Sequence, residues 1–92
     1  MKQSELKLMI IGDILESISL IHDYQLNESI ISVDYLPMSK YADFYGTILT
    51  NNDRSPKTYL SLDRATQALR KMGYKGIIEI RDHRDMRVLA TF

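Results

Sequence analysis

Apolar residues near the start of the chain recur at Leu6, Met9, Ile10, Ile14, Ile18 and Ile21, with Ile11, Leu15 and Leu20 widening the stripe. Asp13, Glu16, Ser19 and Asp23 line the other side of the same helical wheel. This spacing predicts one amphipathic helix from Ser4 to about Asp23. Ser4 is placed to cap it, Glu5 lies beside the positive end of its dipole, and Asn27 marks the exit turn. The stripe is too wide for a coiled-coil seam and predicts a helix lying across a sheet. Gly12 within it costs a helix about 1 kcal/mol relative to alanine and implies close approach of a neighbouring backbone.

The period then changes from helical to alternating. Ile30 to Tyr35 places Ile31, Val33 and Tyr35 on one side and Ser32 and Asp34 on the other, which is a strand ended by Pro37. A connection over 37–43 leads to alternation from Phe44 to Thr50, and Asn51 to Pro56 is dense in turn formers before a strand begins at Thr58-Tyr59-Leu60. These two runs predict a hairpin with a long polar tip. Ser61 or Asp63 caps a second helix with Ala65, Ala68, Leu69 and Met72 inward, and Gly73 stops it. Ile77 to Arg81 and Met86 to Phe92 flank Asp82-His83-Arg84-Asp85 as a second hairpin, with Ile78, Ile80, Val88 and Ala90 toward the core. The expected fold is an α+β two-layer sandwich of order α-β-β-β-α-β-β: a mainly antiparallel sheet of four or five strands with two helices on one face.

At 92 residues, 45% hydrophobic and 26% charged, the chain has the composition of one compact domain spanning 1–92. It has no cysteine, which removes disulfides, thiolate catalysis and cysteine-ligated metal centres together. Lys7, Asp13 and Glu16 interrupt the first apolar stretch, so neither a signal peptide nor a membrane span is expected, and the cytoplasm is the expected compartment. The net charge of zero conceals a division at Asp53. Three lysines stand against eight acids up to that residue, a net of −5, and nine cations stand against four acids after it, a net of +5. All six arginines lie in the second part.

Catalytic chemistry finds little support. A serine or threonine nucleophile needs His22 or His83 as its base, and no recognisable motif surrounds either histidine. His22 falls at the end of the predicted first helix, in a cap-like place. His83, flanked by Asp82 and Asp85, has the residue types of a metal or acid–base site, but on a tight turn these side chains more often satisfy backbone. The glycines do not open a helix after a strand, so no phosphate-cradling loop forms. A deep pocket of about 300 Å³ or more beside a core is not expected in so small a chain. No metal and no cofactor is implied, and binding is the remaining class.

Two surfaces present themselves for it. The basic one comprises Arg64, Arg70, Lys71 and Lys75 around the second helix with Arg81, His83, Arg84 and Arg87 on the last hairpin. Guanidinium groups pair in two-pronged fashion with phosphate or carboxylate, as in recognition of nucleic acid or acidic protein. The same residues also suit a solvated face tied by cross-strand pairs such as Glu79 with Arg87. The acidic surface comprises Asp13, Glu16, Asp23, Asp34 and Asp43, which either imitates a phosphate backbone or simply solvates the first helix. Six tyrosines against two phenylalanines add residues suited to an interface, including one between copies of the chain as a homodimer.

The whole chain resembles the small, cysteine-free, single-domain α+β proteins encoded by phages and plasmids, and is similar in kind to anti-CRISPR proteins. The stretch Leu60 to Tyr74 looks like a strand-to-helix unit common among them. The resemblance implies a non-enzymatic inhibitor that docks stoichiometrically on a bacterial CRISPR-type ribonucleoprotein complex and blocks its engagement of nucleic acid. It supplies no motif from which site residues carry over. A small regulator binding DNA or RNA directly through the basic patch is the alternative. Replacing Arg84 and Arg87 together by alanine is expected to weaken partner binding with little change in thermal stability.

Overall fold

The computed structural model describes residues 1–35 and 47–92. The elements are α1 (Gln3–Ile11), β1 (Leu15–Asp23), β2 (Glu28–Tyr35), β3 (Thr47–Ile48), β4 (Thr58–Tyr59), α2 (Leu62–Lys71), β5 (Ile78–Asp82) and β6 (Val88–Thr91). This is the α+β architecture expected, with two helices and a mixed open sheet in the order β3-β2-β1-β5-β6, and β4 also on β2; the sheet has six strands where four or five were expected, and the element order is α-β-β-β-β-α-β-β. The expected connection over 37–43, and Phe44, Tyr45 and Gly46 of the third expected strand, lie outside the described residues.

One expectation is overturned at the start of the chain. The single helix over 4–23 is a helix of nine residues followed by a strand of nine. Gly12 is not packed inside the helix but ends it, its N–H donating to the Leu8 carbonyl at 2.9 Å. Asp13 follows at φ 53°, a left-handed conformation that reverses the chain. The start also differs, because Lys2 precedes the first turn and its N–H donates to Glu5 Oε1 at 3.3 Å, while Ser4 is already helical. From Ser17 to Leu20 polar and apolar side chains fall on opposite faces of a pleat, with Ser17 and Ser19 on one and Ile18 and Leu20 on the other. Ile18 and Leu20 are buried on one face, and the β-branched, serine-rich composition of the run favours that state.

The new strand, β1, becomes the centre of the sheet. It pairs antiparallel with β2, Ile18 opposite Val33 and Leu20 opposite Ile31, and parallel with β5, Ile18 opposite Ile78 and Leu20 opposite Ile80. The other pairings are antiparallel. These six residues form two apolar rows across three strands, and Leu6 of α1 with Ala65 and Leu69 of α2 close over them in one buried cluster. Both helices therefore cover the same face, as expected. The opposite face carries Ser17, Ser19 and Ile21 against Asp34, Ser32 and Ile30 of β2, with Glu79 and Arg81 of β5 on the far side.

The remaining elements follow their local chemistry. Ser61 Oγ accepts from Arg64 N–H at 3.1 Å and starts α2. Gly73 at φ +96° lies just past its end, where only glycine is unstrained. Asn27 takes φ 51° in the β1–β2 turn. The β3–β4 unit differs from a simple hairpin. Both short strands lie on the same edge of β2, at Ser32–Val33 and at Ser29–Ile30, while the chain between them leaves the sheet and is closed by the Thr50–Pro56 bridge. In the last hairpin a register shift between Ile80 and Arg81 sets Val88 opposite Arg81, on the face away from the helices, so Val88 does not join the core as expected; Ala90 is opposite Ile80 but exposed.

Leu20→Ala is expected to lower unfolding stability by about 3 kcal/mol, the cost of a cavity in a core whose neighbours are held on both sides. Urea denaturation measures it. A loss below about 1 kcal/mol would place Leu20 outside the core.

Candidate functional site

The sheet has a polar third row at the end where β1 and β5 finish. Ser29, His22 and Asp82 stand side by side on β2, β1 and β5, all buried on the helix-covered face. His22 is thus a strand residue, not a helix cap, and its Nδ1 shares a 2.6 Å hydrogen bond with Ser29 Oγ. The Tyr24 ring meets it edge-on at 4.4 Å. Ser29 is fully enclosed, so the pair ties two strands and presents no hydroxyl to a substrate.

Asp82 is engaged from the hairpin. Arg84 Nη2 donates to its Oδ2 at 2.9 Å, Arg84 Nε to its Oδ1 at 3.2 Å, and the Arg84 N–H to Oδ1 at 2.9 Å. The Arg84 side-chain bonds first, then its backbone N–H, hold the Asp82 carboxyl well below the usual carboxylate range. His83 sits between two carboxylates, with Nε2 3.6 Å from Asp23 and Nδ1 3.7 Å from Asp82. Among the described residues, no cluster of three or more histidine or acidic side chains is arranged to hold a metal ion.

The eight basic candidates consequently divide. Arg81 pairs with Glu79 at 2.6 Å and also donates to the Met86 carbonyl at 2.9 Å, so Glu79 is taken by Arg81 rather than by Arg87. Arg81, His83 and Arg84 all brace their own hairpin. Arg87 is exposed, with no side-chain partner among the described residues. At the opposite end of the sheet, Arg70 Nη1 donates to the carbonyls of Tyr74 and Gly76 at 3.0 and 2.8 Å and closes the loop after α2. In that loop Gly76 leaves room for the Tyr74 ring, because a Cβ there would lie 2.6 Å from the Tyr74 hydroxyl and would displace it. Lys75 lines an open cleft of ≈ 510 Å³ together with Asp13, Glu16 and Glu79, where acids outnumber it.

Of the eight, Arg64 and Lys71 line one groove together, and it is a surface the charge count did not reveal. Residues 64, 67 and 71 lie at helical spacing on one side of α2. They line an open groove of ≈ 520 Å³, to which Lys7 on α1, Lys57 just before β4 and Tyr59 on β4 also contribute. Gln3, one turn before Lys7, lines it too, and Ala68 and Met72 supply apolar surface. Lys57 Nζ lies 5.7 Å from the centre of the Tyr59 ring. Burial raises the Tyr59 phenol above its ordinary value, so it is neutral at physiological pH. Among the described residues, four cations and no carboxylate line this groove, and none of the four is in an ion pair. Both clefts are open surface grooves rather than deep pockets beside the core.

The acidic surface is dispersed. Asp13 is in a turn, Glu16 in β1, and Asp23 accepts from the N–H groups of Gln25 and Leu26 to form the next turn. Ser17 Oγ lies 3.5 Å from Asp34, and Asp43 is outside the described residues. No helix among the described residues is long and apolar enough to cross a membrane. Compared with family models, curated proteins and solved structures, the chain finds no match.

Arg84→Ala is expected to lower the thermal midpoint at neutral pH, since it strands a buried carboxylate. The Asp82 contribution is complete above the unfolded carboxyl value of 3.8 and is lost as pH falls from there through the lowered folded value. The gap between wild type and variant should therefore close in that acidic window, as followed by thermal melts at several pH values. A pH-independent gap would remove Asp82 as its cause. The Arg84 and Arg87 double variant is for this reason a test of stability as much as of binding.

Proposed function

We propose that this chain is a non-enzymatic binding protein that docks on an anionic partner through the α1–α2 groove, and that it acts as an inhibitor of a bacterial CRISPR-type nucleoprotein complex. One observation supports the binding reading above the others: Lys7, Lys57, Arg64 and Lys71 converge with no carboxylate among the described residues that line the groove, whereas Arg81, His83 and Arg84 lie against acids of their own hairpin or its neighbour. Unpaired charge on one concave surface steers an oppositely charged partner and survives at zero net charge, because it acts locally. The kind of partner is taken from the chain's size and character, which resemble anti-CRISPR proteins, and the bacterial cytoplasm is the compartment this implies. A small regulator of free DNA or RNA would draw on the same groove, and Tyr59 and the glutamines in it favour keeping that reading beside the first.

The reading keeps Arg64 and Lys71 of the second helix in the contact surface and replaces the hairpin by Lys7 and Lys57. Immobilised protein exposed to bacterial lysate is expected to retain a discrete nucleoprotein complex. Lys57→Gln with Lys71→Gln should weaken capture about tenfold or more, while Arg87→Ala leaves it unchanged. Capture lost in Arg87→Ala and kept in the lysine variant would return the contact to the hairpin. Retention of nuclease-sensitive nucleic acid alone would favour the direct regulator.

A further inference from the structure

We propose that the α1–α2 groove holds a single strand of nucleic acid, its phosphates on the four cations and a base against the apolar floor. The inference rests on the groove being the docking surface and names what it grips. Arg64 and Lys71 are seven positions apart on one side of α2, a rise of about 10 Å along the helix axis, with Gln67 between them. Lys7 on α1 and Lys57, next to β4, line the same groove. The charges are thus arranged along a track with two sides, the geometry that follows a linear polyanion. A duplex is convex and would meet one rim of such a groove, whereas a single strand enters it and is held from both sides.

The side-chain chemistry separates nucleic acid from an acidic protein segment. Three of the four cations are lysines, compact point charges on flexible stems that adapt to successive phosphates. Gln3 and Gln67 each carry an amide donor beside an amide acceptor, which matches the edge of an unpaired base and is not needed by a carboxylate. Tyr59 is half-buried and neutral, and Met72 lies beside it in the lining, so the floor offers an apolar surface to a base.

The test is fluorescence anisotropy of a labelled oligouridylate of about 12 nucleotides, a length within the usual single-strand site size. Four phosphate contacts predict that affinity falls about 50-fold between roughly 50 and 200 mM salt. The triple variant Lys7→Gln, Lys57→Gln, Lys71→Gln leaves one contact and should reduce that dependence to about threefold. These lysines are outside the buried core, so the variant's thermal midpoint should stay at the wild-type value, which separates lost binding from lost folding. Equal affinity for a duplex of matching length, equal competition by polyglutamate, or a salt dependence unchanged in the triple variant would each overturn the inference. If wild type ignores the oligonucleotide while the triple variant loses capture of the nucleoprotein complex, this inference falls and the docking surface stands. If the triple variant ignores the oligonucleotide and captures the complex like wild type, the inference holds and the groove is not where the complex docks.

Discussion

The structure depends on one strand having to satisfy neighbours on both sides. β1 lends its backbone to β2 and to β5, and on one face it must also bury Ile18 and Leu20 under both helices. A helix cannot do this, because its backbone bonds are internal. Once the segment is extended, the rest is constrained. The register across β1 aligns the apolar rows, the helices have one face to cover, and the chain must pass over that face through α2 before β5 can lie parallel to β1. The third row replaces packing by polar pairing, with His22 bonded to Ser29 and Asp82 bonded to Arg84, so the sheet's end is closed by hydrogen bonds instead of apolar contact.

Much of this was legible along the chain, and the part that was not has a physical cause. Ser61, Gly73 and the turn at Asp82 act locally, so their roles show in a few neighbouring residues. The inward sides of β2 and β5 were likewise visible as alternation, with Ile31, Val33, Ile78 and Ile80 all buried. The first element misled because Ile10, Ile14, Ile18 and Ile21 fall at helical spacing while belonging partly to a helix and partly to a strand. The signals that distinguish the two states were Gly12-Asp13 as a break and the alternation of Ser17 and Ser19 with Ile18 and Leu20 after it. Backbone pairing with residues far along the chain then decided the outcome over the helical period.

The charges show the same limit. Dividing the chain at Asp53 placed Lys7 in an acidic half and Arg81 and Arg84 in a basic one, yet Lys7 joins the uncompensated groove and the two arginines are bound to carboxylates of their own hairpin. Six of the eight basic residues singled out along the chain lie apart from the groove, at the loop after α2 or on the last hairpin. Lys57 and Tyr59 were hidden for a different reason, since they follow a polar excursion that reads as loop and become part of a wall only because β4 returns to the edge of β2.

The parallel pairing of β1 with β5 also orders events in time. Leu20 is opposite Ile80, so as the chain leaves the ribosome β1 has β2 at hand but must wait for β5. During that interval one edge of the central strand is unpaired, and Ile18 and Leu20 lack both α2 and their β5 neighbours. A loop closure of that length is slow to form by chance, and an open apolar strand edge is where nascent chains stick to one another. The same pairing that makes the finished sheet cooperative thus makes the growing chain a natural client for protection until its last strands arrive.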